Sequence, residues 1–151
     1  MALPYRPCAG ILLLNSNDQI FVGERLDRPG AWQMPQGGID EGESPEVAAL
    51  RELEEEIGVR ADQVQLLAQT QDWVLYDLPD HLKGKMWGGK FAGQKQLWFK
   101  LRLLADDEAI DIETSHPEFG RWKWSDPSTV IEEIVDFKRD VYQRVIDELM
   151  T

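Results

Sequence analysis

The chain has 151 residues, 42% hydrophobic and 29% charged, which suits one soluble domain over residues 1–151 with a core large enough to need no disulfide. A net charge of −12 excludes a protein that coats nucleic acid non-specifically, because such binding is driven by many cation–phosphate contacts, but leaves recognition of a single phosphorylated end open. The single cysteine, Cys8, excludes an internal disulfide and fits a reducing cytoplasm, and the apolar run Gly10-Ile11-Leu12-Leu13-Leu14 is too short for a signal peptide or a membrane span.

In chain order, residues 8–14 and 20–25 are β-rich runs around the turn cluster Asn15-Ser16-Asn17-Asp18, which predicts a hairpin. Asp27-Arg28-Pro29-Gly30 is a loop, and residues 32–35 form a short extended piece leading into a Gly37-Gly38 turn. A helix follows, with Ser44 as cap, Pro45 at the first helical position and Gly58 as a left-handed stop. Residues 64–78 are strand-like, as one strand or two, and residues 79–93 form an irregular loop. Residues 96–104 alternate as a strand, and residues 121–124 make another. Asp126-Pro127 starts a helix by the same cap-then-proline logic. The apolar periodicity of the tail breaks near Asp136. No internal repeat is present, and this order of elements gives an α/β or α+β fold.

The central helix carries an electrostatic problem. Val47, Leu50, Leu53 and Ile57 recur at spacings of three and four, which predicts one buried stripe. Glu52, Glu55 and Glu56 are then expected on the opposite side, as neighbours. Each like-charge pair costs roughly 0.2–0.5 kcal/mol, and the dipole disfavours anions near the carboxyl end. Such a face is expected where a cation binds it, and convergent carboxylates select a hard ion such as Mg²⁺ over Zn²⁺ or Cu²⁺. The bland alternative is a solvated acidic surface. An EF-hand is excluded, because Asp40-Glu41-Gly42-Glu43 lacks the alternating ligands of that loop.

The spacing Gly37-x5-Glu43-x7-Arg51-Glu52-Leu53-x-Glu55-Glu56-x-Gly58-Val59 resembles a complete Nudix box. Further stretches resemble the branch of RNA pyrophosphohydrolases and dinucleoside polyphosphate hydrolases: Tyr5-Arg6-Pro7, the run Trp32-Gln33-Met34-Pro35-Gln36-Gly37-Gly38, Gly93-Gln94-Lys95-Gln96, Pro117-Glu118-Phe119, Trp122-Lys123-Trp124, and Phe137-Lys138-Arg139-Asp140-Val141-Tyr142. The resemblance implies a Nudix α/β/α sandwich with a mixed sheet between helices. It implies an enzyme that hydrolyses phosphoanhydrides of nucleoside polyphosphate ends, with water attacking phosphorus. Mg²⁺ is the expected cofactor, with Mn²⁺ or another divalent ion as substitutes. Carried over by position, the metal ligands are the Gly37 carbonyl, Glu52, Glu55 and Glu56, with Glu118 as a further ligand or assisting base. Glu52, Glu56 and Glu118 are the expected catalytic groups, Glu52 being the choice for activating water, and Glu43 and Arg51 orient the helix carboxylates.

For substrate binding, Arg6, Arg25, Lys95 and Lys138 are candidates to hold phosphates. Tyr76, Val135 and Phe137 are candidates for a base pocket, because single-stranded ends bind by stacking. Residues 81–105 contain no acidic residue while Lys83, Lys85, Lys90, Lys95, Lys100 and Arg102 are basic, which makes a phosphate-facing surface or a lysine-guarded strand. His81 and His116 are isolated and carry no assigned chemistry. Two substrate cues diverge. The stretch from Phe137 points to a 5′-triphosphorylated RNA end, and Trp87-Gly88-Gly89 before Gly93-Gln94 points to a dedicated asymmetric diadenosine tetraphosphate hydrolase. The RNA end is favoured, with dinucleoside polyphosphates alongside. A non-catalytic nucleotide-binding module would be expected to lose box carboxylates, and this chain keeps them all. No membrane partner and no extended nucleic-acid surface are expected.

Overall fold

The structure is a computed structural model that describes residues 3–77, 90–115 and 117–150, apart from the Phe137 side chain. Expectations for His81, Lys83, Lys85, His116, the Trp87-Gly88-Gly89 stretch and the Phe137 side chain lie outside it.

Strand β1 (Tyr5–Leu14) is the centre of the fold. It runs parallel to β7 (Gly93–Leu103), in register from Tyr5 opposite Gly93 to Leu14 opposite Arg102. A parallel pair must be covered on both faces, and the near-continuous apolar run of β1 meets that need. Successive residues divide between two cores: Ala9, Ile11 and Leu13 join one, and Leu12 and Leu14 the other. The hairpin to β2 (Ile20–Arg25) forms where the sequence places it. Its turn is closed by the Asn15 carbonyl oxygen Oδ1, which accepts from the Asn17 and Gln19 amides at 2.9 Å each.

The remaining strands are β3 (Trp32–Gln33), β4 (Gln36–Gly38), β5 (Val64–Gln69), β6 (Val74–Asp77) and β8 (Phe119–Ser125). The mixed sheet has the order β3-β2-β1-β7-β5, with β4 on β1, β6 on β7 and β8 on β2. Helix α1 (Pro45–Ile57) covers one face, and α2 (Pro127–Glu133) and α3 (Arg139–Leu149) pack on the other, giving the α/β/α sandwich. The break near Asp136 is a 3-10 turn, Asp136–Lys138.

Two expectations are corrected. Gly37 and Gly38 are not a turn but part of β4, antiparallel to β1 with Ala9 opposite Gly37. The buried side of α1 is Ala48, Ala49, Leu53, Glu56 and Ile57, while Val47 is 56% exposed. At about 100° per residue, Glu56 lies near the middle of that arc. Leu53 and Ile57 of the expected stripe are fully buried, and Leu50 packs partly against the same core. The correction falls on Val47, which is exposed, and on Glu56, which lies within the buried arc rather than opposite it. Small Ala48 and Ala49 complete that side. The helix ends are as expected: Ser44 Oγ accepts from the Val47 amide at 3.2 Å, and Gly58 has φ 72°.

Candidate active site

Strand β4 and helix α1 lie side by side, and glycine makes the approach possible. A Cβ at Gly37 would sit 2.0 Å from Glu52 Cδ and 2.3 Å from each carboxylate oxygen. The carboxylate therefore occupies the space a side chain would fill. One turn on, Glu56 is only 6% exposed. It accepts from the Gln36 backbone amide, and its Oε2 is buried with no hydrogen-bond partner. Burial, then the charges of Glu52 and Glu118, hold the Glu56 acid well above the ordinary carboxylate range. Glu52 is also raised by burial, against the opposing pull of Arg51.

Arg51 organises the outer side of this group. Its guanidinium grips Glu43 through two bonds of 2.8 and 2.9 Å and donates to Glu52 Oε1 at 2.9 Å. It also donates to Glu55 Oε2 at 3.2 Å and to the Gly38 carbonyl at 2.9 Å. A bidentate pair of this kind fixes orientation as well as charge. The Arg51 bonds, helped by the Asp40 amide, hold the Glu43 carboxyl down to about 2, and the same contacts raise Arg51 itself.

Beside these carboxylates opens a cleft of about 560 Å³. Gly37, Glu52, Glu56 and Glu118 form one part of its lining, and Arg6, Arg25, Arg28 and Lys138 supply positive charge. Tyr76, Gln33, Gln36 and Gln94 complete it with Asp27 and Gly38. Arg25 is clamped by Asp27 through bonds of 2.6 and 2.8 Å. Lys138 is buried, with Nζ 5.8 Å from the centre of the Tyr76 ring. Burial, then the nearby Arg25 charge, lowers its ammonium to about 8. Arg6 Nη1 lies 3.7 Å from Cys8 Sγ, and burial pushes that thiol up to about 11.

The structure thus brings Gly37, Glu52, Glu56, Glu118, Arg6, Arg25, Tyr76 and Lys138 into one cleft. It does not bring Lys95 there. Strand alternation turns Lys95 to the other face of β7, where Nζ lies 4.8 Å from the Trp73 ring centre. Val135 packs, partly buried, against the core on the α2 and α3 side and does not line the cleft. Glu55 faces a neighbouring depression with Arg51, Glu54, Thr114 and Ser115. Gln33, Gln36 and Gln94 stand in stretches that carry the resemblance but have no role assigned from the sequence, and Asp27 and Arg28 are read there only as loop residues. For Gln94 a signal exists, since counting back in twos from Trp98 puts Gln96 and Gln94 on the tryptophan's face.

The residues fit a divalent ion. The donors are all oxygens, Glu56 offers a buried oxygen with no partner, and Gly37 leaves the room Glu52 needs. As the side chains stand, no three acidic, thiol or imidazole groups among the described residues are gathered closely enough to hold an ion. Arg51 engages one oxygen each of Glu52 and Glu55, so an ion would share these carboxylates with the guanidinium.

A model of the NUDIX domain matches residues 4–145. The chain belongs to the Nudix family. This Nudix chain is 54% identical over 147 residues to the RNA pyrophosphohydrolase of Rhodospirillum rubrum, covering 97% of this chain and 88% of that one. The RNA pyrophosphohydrolase of Sphingopyxis alaskensis is also 54% identical over 147 residues, covering 97% and 93%. In fold it is similar to the E. coli dihydroneopterin triphosphate pyrophosphohydrolase, with TM-score 0.73 and 24% identity over 95% of this chain and 99% of that one. It is likewise similar to a C. elegans Ap4A hydrolase in a binary complex, with TM-score 0.70 and 20% identity over 96% and 97%. The protein is an enzyme of the Nudix hydrolase type, a family that generally uses divalent ions. No helix among the described residues is long and apolar enough to cross a membrane.

Proposed function

We propose that this Nudix enzyme is an Mg²⁺-dependent pyrophosphohydrolase that acts in the cytoplasm as a single domain. It removes pyrophosphate from 5′-triphosphorylated RNA and leaves a 5′-monophosphate, with dinucleoside polyphosphates as further substrates. The observation that carries the reading is Glu56, a buried carboxylate with an unpaired oxygen, in the same cleft as four cationic side chains. The relatives named RNA pyrophosphohydrolases, at 54% identity over 97% of the chain, support the choice of substrate.

In this reading the Gly37 carbonyl and Glu52, Glu55, Glu56 and Glu118 hold the ion. A bound divalent ion neutralises phosphate charge, polarises the phosphoanhydride and makes water more acidic. Glu52 orients the attacking water and takes its proton, with Glu118 as the assisting base. Water oxygen bonds to phosphorus, the P–O–P bond breaks, and pyrophosphate carries away the bonding electrons. Arg51, locked to Glu43, positions the Glu52 carboxylate. Arg6, Arg25 and Lys138 hold phosphate oxygens, and Tyr76 offers a flat wall to the first base. Lys95 and Val135, which do not line the cleft, are given no role in this reading.

The test is turnover of 5′-triphosphorylated RNA and of diadenosine tetraphosphate with Mg²⁺, for the wild type and Glu52→Gln. Equal product release by both proteins would sink the catalytic assignment. A preference for the dinucleotide by orders of magnitude in kcat/KM would replace the RNA end with the dinucleoside polyphosphate.

A further inference from the structure

Behind the cleft lies a chain of side-chain hydrogen bonds whose direction is fixed by chemistry. The Trp98 indole Nε1 lies 2.7 Å from Gln96 Oε1. Gln96 Nε2 lies 2.9 Å from Gln36 Oε1 and 2.7 Å from Gln94 Oε1. An indole N–H can only donate, so the Gln96 atom facing it is the carbonyl oxygen. The –NH₂ of Gln96 then faces Gln36 and Gln94, and both must present their own carbonyl oxygens to it. Each has its –NH₂ as the end not used in the chain, and both residues line the cleft.

The anchor is rigid. Trp98 is fully buried, and its ring lies where a Cβ on Gly10 would come within 2.4 Å, so its plane is pressed on the backbone of β1. Its own backbone amide donates to Thr70 Oγ1 at 3.0 Å. Gln94 and Gln96 are each only 2% exposed. Strand register gives the outcome a place. Gln94 is directly opposite Arg6 on β1 and Tyr76 on β6, and the Gln36 backbone amide is bonded to Glu56. One oriented donor stands between a guanidinium and an aromatic ring, and the other stands beside the carboxylates.

We infer that Trp98 and Gln96 are positioning residues that hold the Gln94 and Gln36 amides with –NH₂ towards the cleft, as hydrogen-bond donors to the phosphate oxygens of the substrate. The inference rests on the proposed function for the identity of that substrate. The chain of bonds selects a polyanion over any ligand that would donate at this point. An inverted amide would set a carbonyl oxygen against a phosphate oxygen.

Gln96→Glu tests this, because a carboxylate there accepts from Trp98 and turns the –NH₂ groups of Gln94 and Gln36 inward. Trp98→Phe tests it independently, by removing the donor that fixes the direction. The expected result on a 5′-triphosphorylated dinucleotide is a KM raised roughly tenfold by Gln96→Glu and about threefold by Trp98→Phe, with kcat changed less. In a Gln94→Ala background the effect of Gln96→Glu shrinks to about threefold or less. A merely electrostatic action of the new carboxylate would persist in that background at full size and overturn the inference. So would an unchanged KM in Trp98→Phe. Side-chain amide NMR reads the orientation without turnover: the Gln94 –NH₂ protons exchange with solvent faster in the wild type than in Gln96→Glu, or than in Trp98→Phe should Gln96→Glu fail to fold. Equal exchange also overturns it. A wild type that turned over no triphosphorylated substrate would remove the proposed function, and the exchange measurement would still judge the chain of bonds.

Discussion

Glu56→Gln is expected to make the protein more stable in metal-free buffer while abolishing turnover. The Glu56 side chain is 6% exposed at the middle of the buried arc of α1, and one carboxylate oxygen has no partner. Burial raises its pKa, with Glu52 and Glu118 adding to the effect and the Gln36 amide opposing it. The sign of the linkage follows. The folded form binds this proton more tightly than the unfolded chain, so the associated stability is fully present below the ordinary value of 4.5 and is lost as pH rises through the folded pKa. Near neutral pH the wild type carries this cost and the amide does not. A buried polar atom without a partner costs about 1–3 kcal/mol, more when charged. The amide keeps the unpaired position and sheds only the charge, so the gain is about 1–2 kcal/mol. For a chain of this size that is a rise in Tm of about 2–8 °C, measured by calorimetry with a chelator present. Added Mg²⁺ should raise the Tm of the wild type by mass action and that of Glu56→Gln less, and turnover should fall by about a thousandfold or more. A lower Tm for Glu56→Gln in chelator at neutral pH, or an equal Mg²⁺-induced rise in both proteins, would refute the reasoning.

Three further outcomes are expected. Gly37→Ala places a Cβ 2.0 Å from Glu52 Cδ on a backbone without positive φ, so circular dichroism should show a retained fold while kcat falls about 10²-fold through misplacement of Glu52; a near-normal kcat counts against that carboxylate. Lys138, lowered to about 8 from 10.5, should lose its phosphate-binding charge as pH passes that value, so KM rises. Stability moves the other way, rising between the two values because the unfolded chain holds the proton longer; both pH effects should vanish in Lys138→Met. At constant Mg²⁺, log kcat/KM against log salt should have a slope no steeper than about −3, from four cleft cations at about 0.7 each, and should be the same for short and long RNAs. A slope that steepens with RNA length would mean a longer phosphate-binding surface than the cleft.

What is legible in the sequence is local. Ser44, Pro45 and Gly58 carry the ends of α1 in their own chemistry, and the Asn15 turn declares the hairpin. The acidic spacing from Glu52 to Glu56 points to a cation as the expected partner of that helix, because like charges so arranged cost free energy unless a cation offsets them, and it is legible because it is local to one helix. What is not legible depends on strand partners. Lys95 and Gln94 are adjacent in sequence, and the register of β7 against β1 and β6 sends the glutamine to the cleft and the lysine to Trp73. Gly37 and Gly38 look like a turn until β1 is placed beside them. On α1, Leu53 and Ile57 mark the buried side correctly, but Val47 does not, because the helix closes on the sheet through small Ala48 and Ala49 instead.

Most of the described polar residues that break the burial rule mark the site, although Ser125, at the end of β8, is buried without lining the cleft. Gln33, Glu56, Gln94 and Lys138 are buried polar groups, and all four line the cleft. Gln96 is a fifth, and it holds two glutamines that do. Thr70 has a structural use, since its Oγ1 accepts from the backbone of the Trp98 that starts that chain of bonds. Burying Glu56 and Lys138 costs free energy, and both titrate away from their ordinary ranges for that reason. A fold selected only for stability would place apolar side chains at such positions. In the proposed reaction the same low-dielectric setting that penalises these groups would strengthen their interactions with an ion and with phosphate, so the cost and the proposed activity would have one origin.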